Sequence, residues 1–212
     1  MTKKQKALAA IEALKKEYPD AECALIHSNP LELLIATRLS AQCTDARVNM
    51  VTPALFKRFP TIDDYISSSE EEIAEYIRTC GLFKTKARDI FAMCKKLKDE
   101  FNGVVPDNME DLLSLPGVGR KTANLILGDV YGKPAVVTDT HFIRICGKLG
   151  LTDNKAPVKV ENDLRKLLPP EESNDFCHRI VLHGRAVCDA RKPKCDICCM
   201  KSFCKYAQNI SK

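Results

Sequence analysis

Apolar and polar positions along this chain recur with a helical period almost from end to end. Between Phe83 and Phe101 the residues Phe83, Ala87, Ile90, Phe91, Cys94, Leu97 and Phe101 return every three to four positions, one stripe of an amphipathic helix. Start signals punctuate the pattern. Asn29-Pro30 reads as an N-cap with an N1 proline ahead of LELLIATRLSAQ. Ser69 with Glu72 three positions on spells a capping box before IAEYIRTC, and Asn108 caps MEDLLSL. Strand-like alternation is confined to Ala135-Val136-Val137, too short for a sheet. The pattern predicts an all-α protein of about ten helices joined by short loops. Gly132-Lys133-Pro134 and Pro169-Pro170 break the helical run, and no repeat or low-complexity stretch interrupts it.

Length and charge narrow the class. A chain of 212 residues can build one large domain or two small ones. With 45% hydrophobic and 29% charged residues it reads as globular rather than disordered. No apolar run reaches the ~18–20 residues that span a bilayer. The segment MTKKQKALAAIEALKKEYPD carries charges too often for a signal peptide, so a cytoplasmic protein is expected, nucleoid-associated if bacterial. The net charge of +5 is local: from Arg185 onward seven basic residues face two acids, which accounts for all of it. A basic tail on a neutral body points to a polyanionic partner, or more plainly to a solvated basic surface.

The richest local signal is Leu115-Pro116-Gly117-Val118-Gly119, set between MEDLLSL and the helical pattern RKTANLILGDV. Gly117 and Gly119 permit a tight turn and the close approach of another backbone. The turn opens onto a helix N-terminus, whose unpaired amides favour an anion. The string LPGVGRKTA therefore reads as a helix-hairpin-helix that grips a nucleic-acid phosphate without reading sequence. A plain αα-turn is the simpler alternative. Lys121, two residues past Gly119, holds a phosphate or acts as a nucleophile. The second role requires the neutral amine, hence a pKa about 3 units below the usual lysine value of ~10.4. Asp139 stands where the extended PAVVT turns into HFIRICGKLG. It is an N-cap by position, and a rigidly held carboxylate there could also stabilise positive charge on a sugar.

Six of the eleven cysteines (Cys23, Cys43, Cys80, Cys94, Cys146, Cys177) are widely spaced and read as small buried hydrophobes. The other five crowd the C-terminal segment, where Cys188, Cys195, Cys198 and Cys204 have the spacing C-x6-C-x2-C-x5-C. Four thiolates so spaced suit tetrahedral zinc or a cubane iron–sulfur cluster, and spacing leaves both open. Cys199 beside Cys198 would break the gaps. The first gap, DARKPK, becomes a pinned basic loop with Arg191, Lys192 and Lys194 at its tip.

These motifs in this order, with LSAQCTDARVN at Leu39–Asn49 and GLFKTKA at Gly81–Ala87, resemble the endonuclease III family of the helix-hairpin-helix-GPD superfamily over nearly the whole chain. The resemblance implies two helical domains with a DNA-binding cleft between them. One is a six-helix barrel with the hairpin at residues 22–132; the other, an iron–sulfur cluster domain, joins 1–21 to 133–212. It implies a monomeric DNA glycosylase and AP lyase acting on double-stranded DNA. Such an enzyme removes oxidised pyrimidines and cleaves the abasic site by β-elimination. Lys121 matches the family's Schiff-base lysine and Asp139 its catalytic aspartate, while Cys188, Cys195, Cys198 and Cys204 match the [4Fe–4S] ligands. Gln42 and Leu82 match side chains that fill the gap left in the duplex, and His141 matches a position near the DNA. An adenine glycosylase of the same superfamily is the neighbouring reading, and it lacks a lysine at the Lys121 position. A non-catalytic DNA-binding module, with Lys121 only holding phosphate, is the other.

Overall fold

In the computed structural model, which describes residues 1–210, every regular element among the described residues is helical. The α-helices are α1 (Lys3–Glu17), α2 (Pro30–Ser40), α3 (Asp45–Arg58), α4 (Ile62–Ile66), α5 (Glu70–Tyr76) and α6 (Phe83–Phe101). They continue as α7 (Met109–Ser114), α8 (Arg120–Asp129), α9 (Thr140–Leu149), α10 (Pro157–Arg165), α11 (Ser173–Ala186) and α12 (Lys205–Ile210). That is two more than the periodicity predicts. Elements such as α4, five residues long, are too short to show a full apolar stripe.

The expected start signals are mostly in place. Asn29 accepts from the Glu32 amide with Pro30 at N1, and Asn108 accepts from the Asp111 amide. Ser69 accepts from the Glu72 amide, but Glu72 does not complete the box. Its carboxylate is drawn instead to Arg58 at 2.6 Å. The segment 135–137 forms no regular element and is buried, with the Val137 amide donating to Cys177 Sγ rather than to a strand.

The chain divides into two compact units, residues 23–131 and residues 1–22 with 132–212. The first is organised around α2, whose Leu33, Leu34, Ile35, Ala36 and Leu39 are all buried. A helix apolar nearly all round belongs inside a bundle, and α3, α6 and α8 pack on it. The long α6 brings Ala87, Ile90, Met93, Cys94 and Leu97 to the same core, and α7 packs back on α8. In the second unit α11 packs on α1 and α9, with Phe142 set edge-on to Phe176 at 6.0 Å, and α12 packs on α9. No helix among the described residues is long and apolar enough to cross a membrane.

Candidate functional site

The hairpin is built from within the 23–131 unit. Leu115 and Val118 are buried, and the Val118 amide returns to the Leu115 carbonyl at 3.1 Å, closing the turn. Gly117 lies at φ +74°, a backbone region that glycine alone enters cheaply. Space forbids a side chain there too: a Cβ would stand 2.7 Å from Arg38 Nε and 3.0 Å from Asp89 Cβ. Those two residues form a largely buried pair. Arg38 donates to Asp89 Oδ2 from Nε at 3.0 Å and from its terminal nitrogen at 2.6 Å. The turn thus rests on a forked ion pair from α2 and α6.

Gly119 differs in kind. It is the N-cap of α8 in ordinary extended geometry (φ −102°, ψ 175°), and a Cβ there would meet nothing within 4 Å. Nor has it a side chain to accept from the first-turn amides, unlike the caps of α2, α3, α5, α7 and α9. A helix N-terminus without a side-chain cap, with room at its glycine, is a place where an anion can approach the helix start. Lys121, the second residue of α8, is exposed beside it.

Two further turns of this unit carry the residues matched to gap filling. Gln42 at φ 53° and Leu82 at φ 59° are both left-handed and exposed, Leu82 to 58%. Among the described non-glycine residues with positive φ only Asn102 joins them, and that one closes α6 as an ordinary left-handed cap. A leucine in this conformation costs on the order of 1–2 kcal/mol and gains nothing from burial here. The turns approach each other closely, since a Cβ at Gly81 would lie 3.3 Å from the Gln42 carbonyl oxygen.

Asp139, His141 and the cysteines belong to the other unit. Asp139 caps α9, accepting from the Phe142 amide at 2.7 Å, so its carboxylate is fixed in direction while half-buried. His141, two residues past this cap, lies on α11: a Cβ at Gly184 would stand 2.5 Å from its Nδ1. Arg144 approaches the same Nδ1 at 3.2 Å. Because a guanidinium only donates, Nδ1 accepts and the neutral ring carries its proton on Nε2. Arg144 also donates to the Cys188 carbonyl at 2.8 Å. Neither Gly184 nor Arg144 stands out in the sequence; HGR at 183–185 offers only a glycine inside a helical run.

Cys188, Cys195, Cys198 and Cys204 all line one small cavity, with Lys148, Val187, Pro193 and Tyr206 also in its wall; Cys199 does not line it. Among the described residues no three His, Cys, Asp or Glu side chains are drawn close enough to hold a metal ion, and what the four thiols share is the cavity. Burial raises the Cys188 thiol while Lys148 and Arg144 pull it down. Cys198 Sγ meets His183 Nε2 at 3.4 Å, and His183 Nδ1 meets the Tyr18 hydroxyl at 3.3 Å. In the loop before Cys195, Asp189 Oδ1 accepts from the amides of Arg191 (2.8 Å) and Lys192 (3.1 Å), which turns both side chains outward to solvent. Lys194 is differently placed: its ammonium donates to the Ala186 carbonyl at 3.1 Å, closing the end of α11.

Residues 35–170 match the family described as HhH-GPD superfamily base excision DNA repair protein. The endonuclease III of Synechocystis sp. is 49% identical over 98% of this chain and 95% of its own length. That of Bacillus subtilis is 41% identical over 92% and 90%. A solved structure described as a trapped endonuclease III–DNA covalent intermediate, in an estranged-adenine complex, superposes with a TM-score of 0.93. It is 42% identical and covers all of both chains.

Proposed function

The chain belongs to the HhH-GPD superfamily of base excision DNA repair proteins, within its endonuclease III family, and from that premise we propose that Lys121 is the amine nucleophile of a DNA glycosylase and AP lyase acting on oxidised pyrimidines. The observation that carries the reading is the start of α8: an exposed lysine two residues past a glycine N-cap that has no side chain to cap the helix and room where a Cβ would stand. One short stretch thereby offers a seat for a backbone phosphate and a nucleophile next to it.

A base inside the stack is out of reach, so its nucleotide must be extruded and the hole filled. Gln42 supplies amide hydrogen bonds and Leu82 an apolar wedge, each already presented on a left-handed turn. The Gly117–Gly119 turn and the α8 amides take a phosphate. Lys121 Nζ attacks the sugar C1′ through its lone pair as the bond to the base breaks and the base leaves with a proton. The nitrogen gives up a proton, the C1′–O4′ bond opens as O4′ is protonated, and the iminium that results draws electrons from the adjacent carbon, so that a proton leaves C2′ and the 3′ phosphate departs. Asp139, its direction set by the Phe142 amide, offsets the charge on the sugar and assists proton transfer. His141 lies near the backbone of the DNA.

The shared cavity and all-thiol donor set of Cys188, Cys195, Cys198 and Cys204 fit a [4Fe–4S] cluster. When bound, such a core with four thiolates supplies a fixed charge of about −2, offset here by Lys148 and Arg144, and a pin for the loop between its first two ligands. Arg191 and Lys192 on that loop serve the phosphate backbone, and Lys194, whose ammonium holds the Ala186 carbonyl, contributes less to it.

Borohydride trapping tests the reading. Wild-type protein should be captured covalently on abasic DNA, while Lys121→Gln gives no adduct and loses at least about 10³-fold of its strand cleavage. An adduct of wild-type yield in the variant would remove Lys121 from the chemistry.

A further inference from the structure

Two of the cysteines that read as buried hydrophobes stand beside the proposed gap-filling residues. Cys43 follows Gln42 directly and is half-buried; Cys80 precedes Gly81-Leu82 and is 1% exposed. The close approach of Gly81 to the Gln42 carbonyl brings these two stretches together. The thiols interact: burial, then the charge of Cys43 and a hydrogen bond with it, push Cys80 up to about 11. Against both lies Lys86, wholly buried on α6, whose ammonium donates to the Leu39 carbonyl at 2.7 Å. Burial pulls this lysine down, and the two thiols pull it back up. A buried ammonium with a carbonyl for a partner is stabilised by a neighbouring anion, and a thiolate is the anion these residues can form.

We infer that Cys43 and Cys80 are a modification site, a dithiol that hydrogen peroxide converts to a disulfide tying the turn of Gln42 to the turn of Leu82. The half-buried Cys43, as thiolate, attacks one peroxide oxygen; the O–O bond breaks and a sulfenic acid forms, with water leaving after protonation. Cys80 sulfur then attacks the Cys43 sulfur, the S–O bond breaks, and a second water leaves with the Cys80 proton. Two thiols give up two electrons, and one peroxide becomes two waters. A small dithiol reverses the step. The consequence for DNA rests on the proposed function: side chains that must spread into a gap are held at the spacing of the bridge.

Holoprotein treated with stoichiometric peroxide and digested without reductant should give a peptide joining Cys43 to Cys80. It should lie about 2 Da below the sum of the free peptides and vanish with dithiothreitol. Cys43 driven to sulfinic acid with Cys80 still free would overturn the pair, as would its linkage to any other cysteine. Oxidised wild type should bind a duplex containing a tetrahydrofuran abasic analogue about tenfold more weakly. Cys43→Ser, which leaves the buried Cys80 in place, should keep its affinity through the same treatment. Bridge formation with affinity unchanged would overturn the effect on DNA. Leu82→Ala and Gln42→Ala, assayed without oxidant, report on the gap-filling reading separately, and the peptide map decides the thiol pair whatever they show.

Discussion

The hairpin around Gly117 and the loop between Cys188 and Cys195 are both proposed to touch the DNA backbone, and they are held by opposite means. Leu115 and Val118 sink into a core, and the turn leans on the Arg38–Asp89 fork, so the hairpin is finished by ordinary side-chain packing. The loop has two amides on Asp189, the Lys194 amide on the Val187 carbonyl at 2.9 Å and one ammonium on a helix end, and the four cysteines line a small cavity. On the proposed reading, the rest of its shape depends on the cluster that the cysteines hold. A phosphate seat that must be rigid can thus be reached through burial or through a cluster, and only the second can be withdrawn without unfolding the rest.

The sharpest way to break that contrast is to remove one thiolate. Cys195→Ser should raise amide hydrogen exchange across residues 186–205 by about a hundredfold or more while leaving 112–127 within about threefold of wild type. Equal loss in both segments would mean that the hairpin is not self-sufficient. Gly117→Ala attacks the other side. Left-handed strain and displacement of the Arg38 fork should together cost about 3 kcal/mol, and a calorimetric Tm should fall by roughly 6–12 °C. A Tm within about 2 °C of wild type would show that the fork yields freely.

These two regions also differ in how much of them could be read from residue order. The hairpin was legible because glycine spacing, the neighbouring cap at Asn108 and the helical pattern after it are all local. The partner that makes Gly117 obligatory was not, because Arg38 and Asp89 lie 51 positions apart and neither marks its helix as unusual. Nor does anything about leucine announce a left-handed backbone at residue 82; the family resemblance pointed there, and the conformation came from the turn. The capping box at Ser69 was half right for a similar reason, since Arg58 on another helix outbids the local amide for Glu72. Lys194 follows the same logic in the loop. Sequence grouped it with Arg191 and Lys192, whereas the backbone path sends it to the end of α11.

Gly119→Ala sharpens the comparison within the hairpin itself. Its backbone is open to any residue and its Cβ would touch no protein atom, so the folded state should lose no more than about 1 kcal/mol, chiefly from a poorer N-cap. The methyl would instead occupy the place proposed for a phosphate, and affinity for an abasic duplex should drop about tenfold. Gly117 would then be a glycine for the fold and Gly119 a glycine for the DNA. A variant that melts like Gly117→Ala would erase the distinction.

The smallest effect separates the lysines of the loop. Lys192 is exposed at the tip, its direction set by the Asp189 turn, whereas Lys194 already has a carbonyl to satisfy. Every phosphate that a side chain no longer neutralises in a DNA complex flattens the log–log dependence of affinity on salt by about 0.9. Lys192→Ala should therefore lower the slope by about that amount across unrelated sequences. Lys194→Ala should move it by less than half as much and loosen the end of α11 instead, visible as faster amide exchange at residues 183–188. Equal slopes for the two variants would place the Lys194 ammonium on the DNA when the complex forms, its bond to Ala186 being a resting position. An unchanged slope in both would leave the hairpin as the sole backbone grip of the pair.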